Sequence, residues 1–444
     1  MISTRIMMRT VDRFYQLILS IIIVYVFFLN LPLFLNEKVS GIIAPTIYIG
    51  FLVVAIPYAL LNIENLLRFL KSSFFIWLVL ISLIYALNIW RIDYFGIQVS
   101  DEEYIDNVNA LERHALVLVL AYCIFCINKD LLRKAFVPVI VLIPFLVVWD
   151  LISPEDFLGL TSKVGGGETR ASATFLNPNL AAESIVCSLL VFYNQLSKRL
   201  LGILILIAGV GVLATFSRSG LGGLIIVAAY FLFTGRISWY FSLVPILFVL
   251  FFGLISRYIE DLLLITTGGN ETRVEELLDR MSFFGRVGSE GIDGVEDNSS
   301  EGRLDLFVQA WDGIVDKPFF GHAVTPRELL DGASHNLALE HWFTSGLLGL
   351  FSVVLLGLLI YRGTKKVSFL GIGPFVLYYS WSIWFNHQHF TVLPWLISFM
   401  IVLFMNVDTA NNGGYPGTKS VRKKSRKKRR KHRSNWKSSS EVRA

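Results

Sequence analysis

Arg218 stands between two apolar runs, in the segment Ala214-Thr215-Phe216-Ser217-Arg218-Ser219-Gly220. A guanidinium at the centre of a spanning helix costs about 2.5–3.5 kcal/mol or more, so it is expected to face a polar cavity or partner. The plainer alternative is a turn residue whose charge snorkels to the headgroups. Ser334-His335-Asn336 heads another apolar run and is followed after nine residues by Gly346-Leu347-Leu348-Gly349. An imidazole, with an unperturbed pKa of about 6.5, can accept and return a proton at neutral pH, although a lone His in such a place more often serves as an interfacial hydrogen-bonding group. A third segment, Gly165 to Asn179, holds three consecutive glycines, Arg170 and Asn177-Pro178-Asn179. Its glycines permit close backbone approach and Arg170 offers a planar cation suited to phosphate; an ordinary turn is the competing explanation. Arg303 opens a further helical stretch. Two or three arginines and a histidine gathered at one face imply an anionic, lipid-linked ligand and a proton acceptor.

Missing motifs narrow the chemistry. There is no GxxxxGK[ST] phosphate loop and no GxSxG elbow, and no base is visible beside Ser217 or Ser219. His387-Gln388-His389 without a third ligand is poor support for zinc, and no metal is expected. The three cysteines, Cys123, Cys126 and Cys187, all fall in apolar runs and read as small packing residues rather than redox groups.

The elements that must hold these residues are set by composition. Hydrophobic residues make up 54% of the 444 and charged residues only 17%. That is too little charge to cover a water-facing surface, which excludes a soluble enzyme and a disordered chain. The expected fold is all-α, a polytopic membrane protein with about twelve transmembrane helices. Apolar runs place the spans at about 14–35, 42–61, 73–90, 113–128, 135–151, 180–196, 200–216, 219–234, 239–257, 335–360, 369–386 and 389–406. Leu17 to Leu35 is too long for a signal-peptide core, so the first span is expected to stay in the membrane.

Orientation follows from the loops. Arg5, Arg9 and Arg13, then Arg68 and Lys71, Lys129, Arg133 and Lys134, Lys198 and Arg199, Arg236, and Arg362, Lys365 and Lys366 all fall on one side, which the positive-inside rule makes cytoplasmic. Asp101, Glu102, Glu103 and Asp106 fall opposite, as does Arg257 to Ser334, with 16 acids against seven basic residues. The organisation expected is therefore a cytoplasmic N-terminus (1–13), spans one to nine (14–257), a large periplasmic loop (258–334), spans ten to twelve (335–406) and a basic, disordered cytoplasmic tail (407–444). Within the loop, Leu304, Phe307, Val308, Trp311 and Val315 recur at helical spacing, with Asp305, Gln309, Asp312 and Asp316 on other faces and Pro318 closing the run. This predicts an amphipathic helix across the outer face of the membrane. Gly285 to Ser300 reads as a mobile loop.

The net charge of +6 comes from the tail, which carries 13 Lys/Arg against two acids. Placed beside cytoplasmic lipid, it is expected to engage anionic lipids, ahead of a protein partner and with no nucleic acid expected.

These residues resemble a family. Thr174-Phe175-Leu176-Asn177-Pro178-Asn179, Phe216-Ser217-Arg218-Ser219-Gly220, an Arg303-led helix running to Trp311 and Pro318-Phe319-Phe320-Gly321, and His335-Asn336-x9-Gly346-x2-Gly349 together resemble the bacterial O-antigen ligase and O-antigen polymerase superfamily. The likeness covers about Arg170 to Leu350 and draws little from spans one to five. It implies a metal-independent inverting glycosyltransferase with no cofactor, which moves a glycan from undecaprenyl diphosphate to an acceptor hydroxyl at the periplasmic face. Lipid A core is the first acceptor implied and a growing lipid-linked glycan the next. In those terms Arg218 and Arg303, with Arg170, would neutralise the diphosphate. His335 would take the acceptor proton as catalytic base, and Asn336, Asn177 and Asn179 would support the site. A secondary transporter is the competing class, but its polar residues would gather near the bilayer midplane rather than at one face.

Overall fold

The computed structural model describes residues 2–152, 170–241, 298–330, 335–365, 372–386 and 389–411, and these are helical with no strand. Six segments are long and apolar enough to cross a membrane: Thr10–Phe28, Ile43–Leu61, Ser73–Phe95, Asp101–Cys126, Lys129–Ile152 and Leu337–Thr364. Pro178–Val191, Arg218–Phe233 and Leu393–Phe404 are shorter apolar helices. The chain is a multi-pass membrane protein.

In chain order the helices are α1 (Ile2–Ile21), α2 (Leu31–Lys38), α3 (Ile43–Leu61), α4 (Leu66–Leu70), α5 (Ser73–Phe95), α6 (Asp101–Cys126), α7 (Lys129–Phe136) and α8 (Val139–Ile152). Then follow α9 (Pro178–Val191), α10 (Lys198–Ala214), α11 (Arg218–Phe233), α12 (Asn298–Asp316), α13 (Pro326–Leu330), α14 (Leu337–Lys365), α15 (Pro374–Ser382) and α16 (Leu393–Asn411). Helices α5, α6, α14 and α16 pack on one another, α9 joins them through α16, and α8, α10 and α11 pack around α9 with α15 against α11.

Most predicted spans coincide with helices, and the departures have local causes. Span one is not one helix. A π-helical turn, Ile22–Phe28, ends at Asn30, which is left-handed (φ 59°), and Pro32 starts α2 in a new direction. The acids at 101–106 are not loop but the opening turns of α6. Ser100 caps this helix by accepting from the Glu103 N–H (3.2 Å), and Asp101, Glu102 and Glu103 offset the positive end of its dipole. At 26 residues α6 is about 39 Å long, beyond the ~30 Å hydrocarbon core, so these polar turns need not lie in lipid.

The helix expected in the loop is α12, and it packs on α14 mainly through residues outside the predicted stripe. Ala310 and Ile314 are buried with Phe307 against Leu339 and Phe343 of α14, while Leu304, Val308, Trp311 and Val315 are exposed. Phe307, Ala310 and Ile314 make the seam, and the rest of the large apolar stripe faces outward. Of the stretch read as a mobile loop, residues 298–300 begin α12 and the rest lies outside the described residues. So do span nine beyond residue 241 and the basic tail beyond Asn411, whereas residues 407–411, expected in the disordered tail, continue α16.

Span ten, α14, is broken. Gly346 has φ 63° and ψ −152°, far from helical values. The break receives the turn Pro318-Phe319-Phe320-Gly321. Leu347 N–H donates to the Phe319 carbonyl (3.2 Å), His322 N–H to Phe343 (2.8 Å) and Ala323 N–H to Thr344 (2.8 Å). Arg91 of α5 fastens the same turn, donating to the carbonyls of Phe320 (2.5 Å) and Gly321 (2.8 Å). A Cβ on Gly346 would run into the Phe319 carbonyl, and one on Gly321 would meet the backbone of 343–346. Both positions also have positive φ. Gly346→Ala is therefore expected to cost at least the ~1–3 kcal/mol of a strained backbone and to lower the melting temperature in detergent by several degrees. Gly50→Ala, in α3 with open space around it, leaves the melting temperature unchanged or slightly raised. Equal melting of the two variants would contradict the interlock.

Candidate functional site

Two of the three candidate segments fold against each other. Asn177 caps α9 through its Oδ1, which accepts from the N–H groups of Asn179 (2.8 Å) and Leu180 (3.4 Å), and Pro178 fills the first helical position. Ser217 caps α11 by accepting from Gly220 N–H (3.1 Å). The caps are joined, because Ser217 Oγ donates to Asn179 Oδ1 (2.9 Å) and lies 3.2 Å from Ser219 Oγ. Gly220 lets α11 approach α9, since a Cβ there would collide with Ala182.

Arg170 crosses this junction. Its Nη2 donates to Asn179 Oδ1 (3.1 Å) and the Phe216 carbonyl (3.3 Å), and its Nε to the Thr215 carbonyl (3.2 Å). It thereby satisfies carbonyls freed where α10 ends. The loop carrying Arg170 is anchored by Asp150, whose Oδ2 accepts from Ser172 and Ala173 N–H (2.7 Å each). Arg218, the first residue of α11, is half-buried beside the cap.

The third segment connects through α15. Trp381 Nε1 donates to the Ser219 carbonyl (2.8 Å), and two residues on the Ile383 carbonyl accepts from Leu337 N–H (2.8 Å). Asn336 caps α14, accepting from Ala338 (3.0 Å) and Leu339 (3.1 Å) N–H. His335, half-buried, precedes it with φ 52°. Arg303 lies in α12, and its side chain is outside the described residues.

Beside this hydrogen-bonded ring is a cavity of about 380 Å³. Its wall includes Glu340, His341, Thr344 and Ser345 from the turns of α14 before the break, Tyr85 and Asn88 from α5, and Glu103, Asp106 and Arg113 from α6. Asn30, Glu37, Asn177, Thr325 and Arg327 add further polar groups, whereas Arg170, Arg218 and His335 do not line it. Several of its groups are fixed. Glu103 accepts from Thr325 N–H (3.0 Å) and Oγ1 (2.8 Å), Asn88 Nδ2 donates to Ser345 Oγ (2.8 Å), and Arg327 pairs with Glu102 (3.2 Å). His341 packs edgewise near Tyr85 and against Phe390 (ring centroids 6.3 and 4.7 Å).

Among the described residues, six other than glycine have positive φ: Asn30, Ala173, Leu176, Phe216, Ala323 and His335. Each borders the cavity or one of the three motif segments. Strained backbone at about 1–3 kcal/mol per residue concentrates where function demands it.

Sequence reasoning missed Glu183. This carboxylate is buried in α9, where its Oε2 accepts from Asn386 Nδ2 (2.6 Å) and Trp395 Nε1 (2.7 Å). The available signal was an acid inside an apolar run, one turn beyond Asn179. Nearby, His389 of the HxH pair is buried with Nε2 2.8 Å from Ser382 Oγ, and His387 lies outside the described residues. Among the described residues no group of three or more His, Cys, Asp or Glu side chains could hold a metal, and the three cysteines are free thiols.

Residues 203–354, about a third of the chain, match the family model described as O-Antigen ligase. The matched stretch contains Ser217 to Gly220, Arg303, His335, Asn336, Gly346 and Gly349, so the likeness seen in the motifs holds there. Arg170 and Asn177 to Asn179 precede it. Neither the curated proteins nor the solved structures gave a match.

The junction between caps has a thermodynamic signature. Asn179→Ala and Ser217→Ala are expected to destabilise non-additively, with a coupling of about 0.5–3 kcal/mol in a double-mutant cycle. Additive losses would mean that the two caps act independently.

Proposed function

We propose that the protein is a glycosyltransferase of the O-antigen ligase type, which moves a glycan from undecaprenyl diphosphate to an acceptor hydroxyl. The observation that carries this is the continuous hydrogen-bonded path joining the three motif segments: Asn179 to Ser217, Ser219 to Trp381, and Ile383 to Leu337. It gathers Arg218, at the N-terminus of α11, and His335, at the mouth of α14, around one end of the bundle. The family match supplies the reaction class.

In this reaction the acceptor oxygen attacks the anomeric carbon as the bond from that carbon to the diphosphate oxygen breaks, with inversion. His335 takes the hydroxyl proton, and undecaprenyl diphosphate leaves with the bonding electrons. Arg218, aided by the α11 dipole and by Arg303, stabilises the charge that grows on the leaving diphosphate. Arg170 acts by holding the loop and caps in place, and Asn336 by fixing the start of α14 next to His335. The reaction requires neither metal nor nucleotide sugar.

The frame for this chemistry is twelve spans in the bacterial inner membrane, with both termini cytoplasmic, the 258–334 segment periplasmic and the active end facing the periplasm. Lipid A core is one acceptor. The end of a growing lipid-linked glycan is the alternative.

Purified protein reconstituted with undecaprenyl diphosphate glycan and each acceptor in turn provides the test. His335→Ala is expected to slow transfer by about 10²–10⁴, and Arg218→Lys to fail to restore what Arg218→Ala loses, because an ammonium lacks the forked donors. Full transfer by both His335→Ala and Arg218→Ala, or transfer abolished by chelators, would overturn the mechanism.

A further inference from the structure

A second cavity, of about 660 Å³, opens at the other end of the bundle, where α4, the start of α5, α7 and the last turns of α6 and α14 meet α16. Ser73 on this cavity and Asn88 on the polar one are separated by about 22 Å along α5. Its wall carries four cations, Arg68, Lys71, Lys129 and Arg362, and no Asp or Glu among the described residues. The nearest acids in sequence, Glu64 and Asp130, are exposed and off the wall, and Asp130 lies 3.9 Å from Arg133. The rest of the wall is largely apolar, with Phe74, Phe125, Leu359 and Phe404. Lys129 lies over it, donating to the Phe404 carbonyl (3.3 Å).

Arg68, Lys71 and Arg362 are exposed around this hollow, and three like charges so placed attract an anion to it. Ser72 caps α5 here, adding the positive end of a 23-residue helix. A free inorganic anion would use the charges and leave the apolar wall idle. A phospholipid uses both, because Leu67, Leu70 and Ile76 on the flanking turns are exposed apolar residues along which acyl chains can run. We propose that this cavity is a binding site for the phosphate headgroup of an anionic phospholipid, which ties α4 and α5 to α7, α14 and α16. The site is separate from the transfer chemistry and does not depend on it. It differs from any attraction of the tail for lipid, which needs no cavity.

The full-length protein, exchanged into nanodiscs of equal phosphatidylglycerol and phosphatidylcholine with identical acyl chains, is released for native mass spectrometry and its retained lipids counted. Wild type is expected to retain phosphatidylglycerol preferentially. Arg68→Gln, Lys71→Gln and Arg362→Gln each reduce that preference about fivefold, and Lys71→Arg preserves it. The tail is common to all variants, so their differences report the cavity. The single variants keep the test decisive if the triple variant does not fold. Equal retention of the two lipids by wild type, or an unchanged preference in the single variants, overturns the proposal. So does displacement of the retained lipid by inorganic phosphate at the affinity it shows for lipid-free protein, which would make the cavity a free-anion site.

Discussion

Inside a bilayer no water is available to satisfy a backbone N–H or C=O, so any departure from helix must find its partners within the protein. The break in α14 at Gly346 meets that demand with a second piece of chain. The Phe343 and Thr344 carbonyls accept from His322 and Ala323, and the amide beyond the break donates to Phe319. Arg91 then occupies the outward carbonyls of the inserted turn. The turns before the break are thereby set against α5 and α6, and Glu340, His341, Thr344 and Ser345 come to line a polar cavity. The glycines of the His335-Asn336-x9-Gly346-x2-Gly349 element thus shape the cavity, while its first two residues belong to the ring of caps.

The ring of caps obeys the same constraint. Three helices, α9, α11 and α14, begin at this end with Asn177, Ser217 and Asn336 as caps, and Arg170 takes the carbonyls left where α10 stops. Each side chain answers a backbone group that would otherwise be orphaned in a low-dielectric setting. Arg218 and His335 stand next to the Ser217 and Asn336 caps of this network.

What could be read from the sequence was local. Apolar runs located most helices, because a spanning helix announces itself by composition alone, and caps such as Asn177 and Ser217 stood out as polar residues opening those runs. The cavity was not legible, because its wall joins Asn88 to Ser345 and Glu103 to Thr325 across more than 200 residues. The acids of α6 had seemed mere loop charges, and the first five spans carried little of the family likeness, yet α5 and α6 supply a large share of the polar wall of the cavity. The seam of α12 on α14 was missed for a different reason. Periodicity identifies an apolar face but not which of two apolar surroundings, lipid or protein, it meets.

Between the polar cavity and the basic one, the bundle is filled by rings. Trp77 is buried with Phe390 and Phe399 around it (centroids 5.0 and 6.5 Å), and Phe399 packs on Trp395 and Tyr379 (5.3 and 5.7 Å). Trp77 also donates its indole N–H to the Ser352 carbonyl (3.1 Å), pinning α5 to α14. This aromatic block separates the polar cavity from the basic one. For the chemistry proposed above, the donor must already have been carried across the membrane by some other machine, and the spent carrier must depart on the side where it arrived.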